Sequence, residues 1–132
     1  MAGVYLDTGA LGRVLLGEPD SPAVLAALSD FDQHVASRLL RIELRRLALR
    51  HGVLDHADQL LGAVALVPMS EPALQRAETV LPADVATLDA IHLVTALRLA
   101  SEGVLGVVLT YDNRLAEGAR HHGLEVLAPS PA

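Results

Sequence analysis

Apolar residues fall along this chain in short runs that alternate with longer stretches of helical period. Residues 4–7 read as a strand and 8–16 as a short helix. Gly17 to Pro22 is punctuation, with Ser21 or Asp20 placed to cap a helix reaching Phe31. Residues 34–37 form a second strand, followed by a helix over 38–51 that stops at Gly52. A helix over 55–63, a strand over 66–69 and a helix over 71–81 after Ser70 come next. The pattern continues with a long helix over 87–101 and a strand over 107–110. A helix over 113–122, closed by Gly123, and a last strand over 125–127 complete it. Strand and helix in alternation imply a parallel sheet covered on both faces, an α/β fold.

Composition narrows this picture. The 132 residues make one domain, residues 1–132, with no repeat or biased segment. Half the residues are hydrophobic, yet only Tyr5, Phe31 and Tyr111 are aromatic, so the core must be built from Leu, Val and Ala. Cysteine is absent, which excludes disulfides and thiolate metal sites. Val4-Tyr5-Leu6 follows the first residues with no basic leader, and no apolar run approaches the ~18 residues of a membrane span. A soluble cytoplasmic protein is expected. The net charge of −6 argues against a nonspecific grip on nucleic acid. Lysine is missing altogether, and half of the arginines lie between Arg38 and Arg50.

Four carboxylates do not fit a solvated surface. Asp7 and Asp112 each end an apolar strand and open a helix. In a parallel α/β sheet, ligand sites lie outside the carboxyl ends of the strands, so both should stand on the same edge. Helix capping is the plain alternative for each. Asp89 begins a stretch, residues 88–100, that is apolar on almost every side, with Leu93, Ala96 and Ala100 one to three turns beyond it. Thr87 or Asp84 would cap that helix better than Asp89. Glu43 falls beside Leu39, Leu40 and Leu47, opposite Arg38, Arg41 and Arg45, with Arg46 and Arg50 on its own side. An ion pair with Arg46 is the plain alternative there.

Buried charges are normally paired or bound to metal. Two carboxylates about 4 Å apart repel by roughly 4 kcal/mol at an effective dielectric near 20. Such a cluster holds together with a cation bound or with one group protonated. Oxygen donors without cysteine suit Mg²⁺ or Mn²⁺. His92, three residues after Asp89, could orient that acid, although a satisfied buried histidine is the commoner case. His121 and His122 suit the end of a helix, and His51 and His56 have no metal spacing.

At these residues the chain also resembles a known family. Residues 4–11 (VYLDTGAL), 41–46 (RIELRR), 88–96 (LDAIHLVTA) and 109–115 (LTYDNRL) resemble, in order and spacing, the motifs of PIN-domain ribonucleases. More narrowly they resemble the VapC-type toxins of bacterial toxin–antitoxin pairs. The resemblance implies a PIN-like three-layer α/β/α fold with a central, mainly parallel sheet. It implies a Mg²⁺-dependent endoribonuclease that cleaves tRNA or rRNA and is inhibited by a cognate antitoxin. A homodimer, and a heterotetramer or larger with the antitoxin, come with it. Asp7 and Asp89 match the best-attested metal ligands, Glu43 and Asp112 complete the quartet, and Thr8 and Thr110 match small hydroxyl positions beside it. Some PIN domains carry a further acid after the last motif; Asn113 and Arg114 stand there here, which leaves one or two metals open.

Arg46, Arg50 and Arg114 are the candidate contacts to RNA or antitoxin. Other acid-bearing α/β folds fit less well. A phosphotransfer receiver needs a lysine, and a haloacid-dehalogenase-type phosphatase needs an acid where Gly9 stands. A PIN-like fold kept only as a binding module is the remaining rival, opposed by the presence of all four acids.

Overall fold

A computed structural model of the protein describes residues 2–131. Among these, five strands and seven helices alternate. They are β1 (Gly3–Leu6), α1 (Thr8–Leu15), α2 (Ser21–Leu28), β2 (Gln33–Ser37), α3 (Arg38–His51) and α4 (Leu54–Leu61). Then come β3 (Ala65–Val67), α5 (Glu71–Ala77), α6 (Thr87–Ser101), β4 (Leu105–Leu109), α7 (Asn113–His121) and β5 (Glu125–Leu127). All strand pairings are parallel, in the order β3-β2-β1-β4-β5. The sheet therefore grows outward from β1 in one direction and from β4 in the other. That reversal is the crevice where α/β sheets bind ligands.

Side chains alternate along β1, so Val4 and Leu6 face one layer and Tyr5 the other. The first layer packs Val4, Leu6, Ala36 and Leu109 against Leu11, Leu15, Leu40, Leu44 and Leu61 of α1, α3 and α4. The second packs Tyr5, Val35 and Val108 against Leu93 and Leu97 of α6 and Leu115 of α7. This is the three-layer α/β/α arrangement expected from sequence, with a sheet that is wholly parallel. No helix among the described residues is long and apolar enough to cross a membrane.

Helix ends show where local signals yield. Helix α3 stops as expected, because Gly52 takes the left-handed conformation at φ 68° and donates back to the last turn. Helix α2 ends at Leu28 rather than Phe31; Phe31 instead turns into the first core layer from the loop. Helix α5 ends at Ala77, not Leu81, since it has no buried residue to reward extension and Pro82 disfavours helical backbone before it. Asp20 stands at the cap of α2 yet makes no capping bond; its Oδ2 accepts from Arg13 at 2.8 Å. The cap position of α6 falls on Ala86, so neither Asp84 nor Thr87 caps it.

Leu40 of α3, fully buried in the first layer, tests this core. Replacing it with Ala should cost about 3 kcal/mol in urea unfolding. A loss below about 1 kcal/mol would place the residue outside the core.

Candidate active site

The register of β1 on β4 pairs Leu6 with Leu109. The next residues, Asp7 and Thr110, therefore emerge side by side at the carboxyl end of the sheet. Thr110 donates its hydroxyl to Asp7 Oδ2 and accepts from the Asp112 N–H at 3.1 Å. Asp7 Oδ1 accepts from the Ala10 N–H at 2.8 Å and Asp112 Oδ1 from the Leu115 N–H at 2.8 Å, so each acid caps the helix it opens. Capping and a shared site are thus not alternatives: one oxygen of each carboxylate serves the helix.

Glu43 reaches the same place from α3, half-buried. Its Oε1 accepts from the Thr8 hydroxyl at 2.7 Å and from His92 Nε2–H at 2.8 Å. Those partners, not Arg46, explain a glutamate on the inner side of α3. Asp89 lies in the first turn of α6, where the helix dipole favours an anion. Leu93 and Ala96 beyond it are buried, as the apolar pattern implied. Together Asp7, Thr8, Gly9, Arg13, Glu43, Asp89, His92, Tyr111 and Asp112 line one cavity of about 330 Å³. A larger hollow of about 570 Å³, lined by Leu74, Val80, Leu81 and Ile91 among others, has Glu78 as its only carboxylate.

The structure revises two sequence expectations, on His92 and on Arg46. His92 holds Glu43 rather than Asp89. Arg46 does not flank Glu43 but joins Arg38, Arg41 and Arg45 around a separate groove with Ile42, Leu49 and Leu54. Arg50 and Arg114 are exposed and lie outside the acidic cavity. The arginine that does line it is Arg13, which the sequence reading passed over. Its guanidinium sits 3.9 Å from the centroid of the Tyr111 ring and pairs with Asp20 at 2.8 Å and Glu18 at 3.4 Å. The signal for Arg13 was its place on the helix that Asp7 opens; the tie from Asp20, across the turn, was invisible in the sequence.

The surroundings shift three of the carboxylates in different directions. Burial pushes Asp7 up, and the nearby Asp112 adds to this, while hydrogen bonds from Thr110 and Ala10 offset only part of it. Burial and the charges of Asp112, Asp7 and Glu43 push Asp89 up to about 6, against a smaller opposing pull from His92. Burial also acts on Glu43, but the His92 and Thr8 hydrogen bonds outweigh it and hold this carboxyl below its ordinary value. Asp7 and Asp89 thus resist ionisation more than free carboxyls do, and a counter-charge beside them would relieve this.

A divalent cation meets that requirement in chemistry. Every acidic donor is a hard oxygen, drawn from four different elements. Among the described residues, no three His, Asp or Glu side chains are already gathered around one point. A cation held by three of them must draw at least one carboxylate inward, and Asp89 and Asp112 have no neighbour pinning both oxygens.

Comparison with known proteins bears on the family and the fold. A family model described as the PIN domain matches residues 4–121. The chain is 36% identical over 133 residues to ribonuclease VapC47 of Mycobacterium tuberculosis, covering 96% of each chain. It is 36% identical to ribonuclease VapC46 of the same species, covering 98% of this chain and all of the relative. Among solved structures, a toxin–antitoxin complex from Klebsiella pneumoniae superposes with a TM-score of 0.73 at 17% identity, covering 98% of this chain and 99% of that one. The sarcin–ricin-loop-cleaving toxin VapC20 of M. tuberculosis superposes with a TM-score of 0.73 at 13% identity, covering 96% and 99%. At those identities the two structures speak for the fold alone.

The raised Asp89 has a consequence for stability. A carboxyl whose value rises on folding binds its proton more tightly in the folded chain. Its cost begins above the unfolded value of 3.8 and is complete above about 6. In chelator at about pH 7.5, Asp89→Asn should melt above the wild type, and the gap should close as pH falls toward about 4.5. A gap that widens on acidification would contradict the assignment.

Proposed function

This chain belongs to the PIN-domain family, and on that footing we propose that it is a VapC-type endoribonuclease, the toxin of a toxin–antitoxin pair, that cuts structured RNA with Mg²⁺ or Mn²⁺. The observation that carries the proposal is the convergence of Asp7, Glu43, Asp89 and Asp112 on one cavity. Asp7, Glu43, Asp89 and Asp112 would hold a divalent ion, which would supply Lewis acidity and lower the pKa of a water there.

The protein's own groups divide the remaining work. Thr110 and the Ala10 N–H aim the Asp7 carboxylate into the cavity. Glu43, kept ionised by Thr8 and His92, is the carboxylate available to accept a proton from the attacking water. Arg13 is the guanidinium beside the acids, in position for the phosphate flanking the scissile bond. Arg50 and Arg114, exposed outside the cavity, serve more distant phosphates.

Substrate choice follows from what the surface lacks. With a net charge of −6 and three aromatic residues, the chain is poorly equipped to grip RNA of any sequence by overall basic charge or by stacking. Selection then rests on the shape of a folded RNA that presents one exposed loop, as tRNA and rRNA do.

The antitoxin is the protein partner. The groove of Arg38, Arg41, Arg45 and Arg46, with exposed Ile42 and Leu49, suits an acidic and apolar segment better than it suits RNA. A second copy of the chain has a natural face where Leu81 and Leu88 are exposed beside the larger hollow, which gives a homodimer and, with antitoxin, a heterotetramer or larger. The toxin acts in the cytoplasm, where its RNA is.

The test is to incubate purified protein and Mg²⁺ with total cellular RNA and map the new ends by sequencing. One or a few discrete cuts within structured loops are expected. Asp7→Asn, Glu43→Gln, Asp89→Asn and Asp112→Asn should each slow cleavage at least ~100-fold while circular dichroism stays unchanged. Uniform degradation of every RNA, or full activity in Asp7→Asn and Asp89→Asn, would refute the proposal.

A further inference from the structure

Tyr5 is the only side chain in β1 that carries a polar group, and it is fully buried on the α6 face of the sheet. Burial pushes its hydroxyl well above the usual tyrosine range, so it stays protonated and must find partners. It accepts from the Ser37 N–H at 3.0 Å and meets His92 Nδ1 at 2.7 Å, with the two rings edge-on at 5.8 Å. His92 is itself 2% exposed, and its other nitrogen, Nε2, lies 2.8 Å from Glu43 Oε1.

The sense of these bonds is constrained. An ionised carboxylate only accepts, so Nε2–H donates to Glu43. In the tautomer protonated at Nε2, Nδ1 carries a lone pair, so the Tyr5 hydroxyl donates to it while its oxygen accepts from the Ser37 N–H. The line therefore runs from the Ser37 N–H to Tyr5, to His92, to Glu43, and Thr8 donates to the same Glu43 oxygen from α1. It also closes on itself. Ser37 caps α3, the helix that carries Glu43, by accepting from the Leu39 N–H at 3.1 Å. Both ends of the line thus belong to the segment from Ser37 to Glu43.

We infer that Tyr5 and His92 are positioning residues: a buried strut, anchored on Ser37, that fixes the rotation of α3 and the orientation of the Glu43 carboxylate before any ligand arrives. Of the four acids, Glu43 is the one with an oxygen held by two side-chain donors, and its Oε2 is left to the cavity. Asp7 and Asp112 are aimed by the turns they cap. Glu43 sits six residues into its helix, where no cap can aim it, and the strut does that work instead. The inference deepens the nuclease reading and rests on it only for its kinetic arm.

Two measurements separate the strut from the activity. In metal-free wild type, a long-range ¹H–¹⁵N spectrum should show His92 protonated at Nε2 and unprotonated at Nδ1, with the Nε2 proton in slow exchange. A ring protonated at Nδ1, or a rapidly exchanging Nε2 proton, would overturn the strut whether or not the protein cleaves RNA. In cleavage assays, His92→Leu should lower kcat by about 10–100-fold with KM within about twofold, the range that loss of a ligand-orienting group produces. His92→Gln, which can still present an N–H to Glu43, should recover most of that loss. Tyr5→Phe should slow the wild type but add nothing to His92→Leu. Full activity in His92→Leu, no rescue by glutamine, or additive losses in the double variant would each overturn it. If the wild type cleaves no RNA while the spectrum is as expected, the nuclease reading fails and the strut stands.

Discussion

The side-by-side pairing of β1 and β4 is the constraint on which the rest depends. Because Leu6 stands opposite Leu109, the two strands end level with each other at the point where the sheet reverses its order. The chain leaves both strands there through a short turn into a helix. Asp7 and Asp112 are consequently brought to one edge by backbone geometry, with Thr110 hydrogen-bonded to both residues. A slip of one residue would exchange Val4 and Leu6 with Tyr5 between the two core layers and carry Asp7 out of line with Thr110, so the packing of Val4, Leu6 and Leu109 protects the register.

What this edge assembles is electrostatically unfavourable on its own. Burial and mutual repulsion raise Asp7 and Asp89, while hydrogen bonds from His92 and Thr8 hold Glu43 below its ordinary value. Folding tolerates the arrangement because apolar packing surrounds it on both sides of the sheet and because capping bonds occupy one oxygen of Asp7 and of Asp112. Residual stress of this kind is common where a site is built for a ligand of opposite charge. Such an arrangement suits a cation.

The sequence made the sheet and the acids legible because both rest on short-range patterns. Strand–turn–helix transitions at Asp7 and Asp112, and an acid leading into the uninterrupted apolar stretch of α6, needed no tertiary knowledge. The helix over 38–51 was equally plain, with Ser37 before it and Gly52 after it. The partners of Glu43 were not legible. His92 is 49 residues away in sequence and Thr8 is 35 away, and nothing local distinguishes a histidine that reaches α3 from one that supports Asp89 on its own helix. Arg46 was misplaced for a related reason: helical periodicity puts it near the edge of two faces, and only the packing of α4 decides which. The lone Tyr5 in an aliphatic strand was a usable sign of a buried hydroxyl in need of partners.

The claim at the centre of this account is that the four acids form a cation site. The most direct measurement is the melting temperature of chelated, metal-free protein as Mn²⁺ is added. The account expects it to climb, reaching the equivalent of about 2.7 kcal/mol at ~100 times the dissociation constant. It expects the rise to disappear in Asp89→Asn and in Asp7→Asn, both of which keep the shape of the side chain. A wild-type melt indifferent to Mn²⁺, or an equal response in both variants, would contradict it.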